Sequence, residues 1–113
     1  LCAIETLAGI KTAGKKYFIL GDMLELGDKK ETYHGEMGKA VAATDIDYFF
    51  TQGKLTLHAH AAALKSGHPK ALHFDTKKEI IDQLNKQLKP QDIVLLKGSR
   101  GSKMEEIIEG IKE

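Results

Sequence analysis

Three polar residues near the end of the chain have types and spacing that could do chemistry. They are Lys97, Ser99 and Arg100, in Leu96-Lys97-Gly98-Ser99-Arg100-Gly101. A guanidinium grips a carboxylate through two parallel hydrogen bonds, an ammonium acts as a point charge, and a hydroxyl adds one more donor. Glycines on both sides let the backbone approach a ligand closely. The set suits an anion, either carboxylate or phosphate. The plainer alternative is a helix-starting turn whose charges stay solvated. A second group comes earlier, in Gly21-Asp22-Met23-Leu24-Glu25-Leu26-Gly27, with His34 following. Here the plain alternative tucks Met23 and Leu24 or Leu26 under a sheet and leaves Asp22 and Glu25 in water.

The elements that must position these groups follow from apolar spacing. Ile93-Val94-Leu95-Leu96-Lys97 is a run of branched apolar residues, as expected of a parallel strand buried on both faces. It stops at the basic, glycine-bracketed turn, and a helix pattern follows. Tyr17-Phe18-Ile19-Leu20 reads the same way and delivers the Gly21–Gly27 segment. Tyr48–Thr51 and Ala71–Phe74 make two further strands. Helices are expected at the start (Ile4, Leu7, Ala8) and after Asp28, whose side chain would form a capping box with Glu31. The latter helix faces inward through Tyr33, Met37, Ala40 and Val41. Others run over Leu55–Lys65, after a second box at Thr76 and Glu79, and after a third led by Ser102. Inward positions of the last are Met104, Ile107, Ile108 and Ile111.

The order is α(βα)4, which argues for one α/β domain over residues 1–113 with a parallel sheet. Both polar groups then lie at the carboxyl ends of strands, where open α/β sheets bind ligands.

Other motifs weigh less. Gly9-Ile10-Lys11-Thr12-Ala13-Gly14-Lys15-Lys16 is close to a phosphate-binding P-loop. It ends on Lys16, where a magnesium-binding hydroxyl belongs, and it leads from helix to strand rather than from strand to helix. His58 and His60 are two apart on a helix and point to different sides. His68 and His73 have no partner at metal-ligand spacing, so no structural zinc site and no metal ligand is expected. Asp75, Asp22 and Lys97 together suggest an alternative, a stand-alone signalling module of receiver type with Asp75 as phospho-acceptor.

Composition narrows the class. The 113 residues carry a formal net charge of +1, against bulk electrostatic binding of nucleic acid. No apolar run approaches the ~20 residues of a membrane span. The single cysteine, Cys2, excludes an internal disulfide, fits a reducing compartment and reads as a small buried residue. The chain opens at Leu1 inside a helix pattern, as expected of a piece of a longer protein.

The Gly21–Gly27 motif with His34, and Leu96–Gly101 some distance on, resemble the C-terminal domain of the Mur ligases. Gly53 and Asp92 fit the same pattern, and the resemblance covers nearly the whole chain. It is greatest to the member that joins D-alanyl-D-alanine to UDP-N-acetylmuramoyl-tripeptide in peptidoglycan precursor synthesis. The resemblance implies a Rossmann-like three-layer sandwich that closes as a lid in a three-domain, cytoplasmic enzyme. It implies ATP and magnesium in the whole enzyme, held mainly by a central domain, with no cofactor expected on this fragment alone. It also implies that Lys97, Ser99 and Arg100 hold the dipeptide carboxylate, and that Asp22, Glu25 and His34 lie near the interdomain cleft or nucleotide side.

Overall fold

A computed structural model describes residues 2–99, 101 and 103–111, and the side chains of all of these but 2, 3 and 25–27. Cys2 as a buried side chain, Glu25 and Leu26 as rim side chains, Arg100 and Ser102 therefore lie outside what is described.

Helix α1 spans Cys2–Gly9, strand β1 Lys16–Gly21, α2 Lys30–Ala42, β2 Tyr48–Gln52 and α3 Thr56–Lys65. Then come β3 Ala71–Phe74, α4 Lys77–Gln87, β4 Ile93–Lys97 and α5 Glu105–Gly110. The four strands form one sheet in the order β3-β2-β1-β4. Every pairing is parallel, with Tyr17 opposite Tyr48, Leu20 opposite Lys97 and Thr51 opposite His73. The expected α(βα)4 order is present, and the architecture is Rossmann-like.

Alternation along β1 divides the core between two layers. Phe18 and Leu20 face Ile4 and Leu7 of α1, Met37 and Val41 of α2, and Ala59 and Ala63 of α3. Tyr17 and Ile19 face Ile80 and Leu84 of α4 together with Met104 and Ile107. Gly38 lets α2 and α3 approach closely, since a Cβ there would overlap the Ala59 carbonyl. Thr76 and Glu79 form the expected reciprocal box at the start of α4.

Three expectations need correction. Strand β4 is at an edge of the sheet, so all five of its residues are only half-buried. The strand buried throughout is β1, which has a neighbour on each side. An unbroken apolar run does not separate these two cases. Asp28 does not cap α2: a 3-10 helix over Leu24–Lys29 runs straight into it, and Lys29 occupies the cap position without a side-chain hydrogen bond. Asp28, inside that turn, lacks the extended backbone a capping side chain requires. The last helix starts at Glu105 with Met104 at its cap position, later than a box led by Ser102 would place it. Its Ile108 is 59% exposed, because six residues turn one narrow face inward, and Met104, Ile107 and Ile111 already fill it.

Candidate functional site

The connection after β1 leaves toward one layer and the connection after β4 toward the other, although these strands are neighbours. That is the topological switch point at which doubly wound sheets open a crevice. Both sequence motifs meet there. The Ser99 backbone N–H donates to the Asp22 carbonyl at 3.0 Å, and the Leu24 N–H donates to the Ser99 hydroxyl oxygen at 2.5 Å. Ser99 is only 4% exposed, so its hydroxyl stitches two loops together at the rim. Lys97 ends β4 beside it, half-buried.

Asp22 is not a solvated loop carboxylate. Its Oδ1 accepts the N–H groups of Leu55 and Thr56, each at 3.0 Å. It therefore caps α3 from a different strand, meeting donors that a helix start leaves unpaired. Gly53 makes room for this. Its φ is +121°, and a Cβ would collide with the Asp22 carboxylate.

His34 is fully buried. Its Nδ1 lies 2.6 Å from the Lys30 carbonyl, and its Nε2 accepts the Met23 N–H at 3.1 Å. One tautomer, neutral with the proton on Nδ1, satisfies both contacts. This histidine shapes the loop from within the helix. Leu24, by contrast, is 47% exposed and does not tuck under the sheet.

An open cleft of about 230 Å³ lies at this rim, lined by Asp22, Leu24, Gln52, Gly53, Lys77 and Gly101. Lys77 is the cation that motif reading passed over. It sits in the first turn of α4 and pairs with Glu106 at 3.1 Å. Its place just beyond the carboxyl end of β3 was the available signal.

The P-loop-like segment lies at the opposite, amino edge. Its Gly14 N–H donates to the Thr12 hydroxyl, and its Lys15 N–H to Asp92. Amides spent this way do not cradle phosphate, so the described residues offer no triphosphate site of that kind. The receiver alternative also loses its basis. In the flavodoxin-like order the third strand is next to the first, whereas Asp75 here follows an edge strand separated from β1 by β2.

The sequence profile of the Mur ligase, glutamate ligase domain family matches residues 2–100, and the chain belongs to that family. Within it, the chain is 38% identical over 112 residues to the UDP-N-acetylmuramoyl-tripeptide–D-alanyl-D-alanine ligase of Bacillus subtilis. That match covers 98% of this chain and 24% of the relative. Identity to the Escherichia coli ligase of the same name is 34%, again over 98% of this chain and 24% of the relative. A crystal structure of MurF ligase from Thermotoga maritima in complex with ADP superposes with a TM-score of 0.75 at 27% identity, over 96% of this chain and 23% of that one. MurF from Acinetobacter baumannii gives 0.78 at 27% identity, over 96% and 24%. The chain thus spans about a quarter of the length of the relatives it matches.

Proposed function

We propose that this chain is the C-terminal, substrate-capturing domain of an ATP-dependent ligase that joins D-alanyl-D-alanine to UDP-N-acetylmuramoyl-tripeptide, making a peptidoglycan precursor in the cytoplasm. Full-chain similarity to relatives bearing that name supports the reading. The observation that carries it is the direct coupling of the two rim motifs through Ser99, Asp22 and Leu24.

The division of labour follows from the chemistry. Amide formation at the expense of ATP needs an activated carboxylate and an amine held in line with it. The phosphate-handling part, with its magnesium, belongs to the remainder of the ligase, since the P-loop-like segment among the described residues forms no phosphate cradle. Lys97, Ser99 and Arg100 then form the clamp for the carboxylate of the incoming dipeptide. Lys97 supplies a charge at the end of β4, and Arg100 supplies the two-pronged donor. Ser99 contributes by fixing the turn against Leu24. Immobilising the carboxylate fixes where the amine sits, and such positioning contributes several kcal/mol toward the barrier. Asp22 lines the rim cleft itself, while Glu25 and His34 belong to the turn and helix that follow it in the chain. Asp22 acts through α3 and His34 through the Met23 N–H.

The test is steady-state kinetics of the whole ligase. Arg100→Ala should raise KM for D-alanyl-D-alanine by about 10- to 100-fold, the loss of one bidentate charge contact, while KM for ATP changes little. Equal effects on both substrates would contradict the carboxylate clamp. ATP turnover by the 113-residue chain alone would contradict its role as a lid.

A further inference from the structure

Beyond the switch point, the other corner of the carboxyl edge brings together two imidazoles that sequence spacing kept apart. His73 on β3 pairs in register with Thr51 on β2. His60 on α3 packs against it, with ring centroids 5.7 Å apart and planes inclined by 46°. Thr51 is fully buried. Its hydroxyl makes a long bond to the Leu72 carbonyl, at 3.5 Å, and lies 2.7 Å from His73 Nδ1. With the hydroxyl proton directed to that carbonyl, His73 donates from Nδ1 and keeps a lone pair on Nε2. On His60, Nδ1 is buried and has no hydrogen-bond partner.

The protein's two buried histidines behave differently. His34 spends both ring nitrogens, on Met23 and Lys30. His68 spends both as well, on Ile46 and Lys70. A histidine kept only for packing normally has its nitrogens satisfied in this way. His60 and His73 each retain an unspent nitrogen, on rings that pack against each other.

We infer that His60 and His73 form a two-imidazole site for a divalent transition metal ion of the zinc, copper or nickel class. Neutral imidazole is the favoured ligand of these ions. Two imidazoles sharing one ion at metal–nitrogen distances of about 2.0–2.1 Å and a tetrahedral angle have centroids about 5 Å apart. The observed centroid separation of 5.7 Å lies close to that value. Thr51 serves as the outer partner that fixes the His73 tautomer, the arrangement expected behind a ligating histidine. Burial holds the pKa of both rings below the usual histidine value, and the neighbouring His73 lowers that of His60 further, which keeps both neutral near pH 7. Asp75, just past the end of β3, and Asp22 act on His73 in the opposite sense and would offset part of an ion's charge. Among the described residues no group of three His, Cys, Asp or Glu forms a metal cage. Water completes the coordination, so the site is open and exchangeable rather than a closed structural one. A bound ion would staple α3 to the edge strand.

Titration of the protein with Zn²⁺, followed by thermal unfolding, and with Cu²⁺, followed by its visible absorption and electron paramagnetic resonance, tests this. Saturable binding that raises Tm is expected, with nitrogen hyperfine structure from two imidazoles on Cu²⁺. Binding should weaken at least about tenfold in His60→Ala and in His73→Ala, and by about tenfold in Thr51→Val, which removes the outer partner. It should persist in His58→Ala, the neighbour on the far side of α3, and weaken as the solution is acidified and protons compete. His60 is half-exposed on a helix, so its alanine variant keeps the test alive if the strand variants do not fold. Metal uptake unchanged in His60→Ala, or lost equally in His58→Ala, would overturn the assignment.

Discussion

The two corners of the carboxyl edge use their polar groups in opposite ways. At the β1–β4 corner the polar groups of Asp22 and Ser99 that reach across the rim are spent within the protein: Asp22 on α3, and Ser99 on Leu24. At the β2–β3 corner, His60 and His73 are brought together and left with nitrogens unused. The first corner is a rigid frame that can hold cations at fixed positions. The second is a pair of donors awaiting a partner. Position along a sheet edge therefore does not by itself tell a ligand site from a brace. The state of each polar atom does.

The sharpest way to break this contrast is at Gly53. Gly53→Ala forces a side chain into a left-handed backbone and into the Asp22 carboxylate. Such strain with overlap should cost about 2–4 kcal/mol of stability, read by denaturant unfolding. An unchanged midpoint would mean that Asp22 does not brace α3 in solution. Ser99→Ala leaves the Leu24 N–H without its acceptor and should cost about 1–3 kcal/mol. Hydrogen exchange at Leu24 should accelerate, while the β2–β3 corner stays protected. Asp22→Ala removes the cap from α3 and should cost about 1–2 kcal/mol, with fraying confined to the first turn of that helix.

The smallest expected effect is the pH response of the other corner. Burial, then each other's proximity, depresses the pKa of His60; burial depresses that of His73, partly opposed by Asp75 and Asp22. Both rings are neutral in folded and unfolded chains well above the ordinary value of 6.5. As the pH falls below it, the unfolded chain takes up protons first, so folding stability declines until the depressed folded values are passed. A drop in Tm between pH 7.5 and 5.5 should shrink in His60→Ala. An identical drop in that variant would place the titration elsewhere.

Much of this was legible in the residues. Ala71–Phe74 and Ile93–Lys97 are strands with the bounds their apolar runs suggested, and Thr76 and Glu79 form their box. Those features depend on neighbours within a few positions. The Asp28 box failed because Asp28 lies inside a 3-10 helix that runs into α2, in a loop whose Met23 N–H is tied to His34 one turn inside that helix. Ile108 failed because the short α5 had room for only one inward row.

Periodicity, strand order along the chain and the family motifs are local or additive properties, and the amino-acid order alone determined them. Which strand lies at an edge, that Asp22 caps α3 at a separation of 33 residues, that Ser99 faces Leu24 rather than water, and that His60 meets His73 were decided only by the folded chain. Each is a contact between elements distant in sequence. Their proximity depends on how the sheet is ordered and which layer each helix takes, and no local pattern encodes that choice.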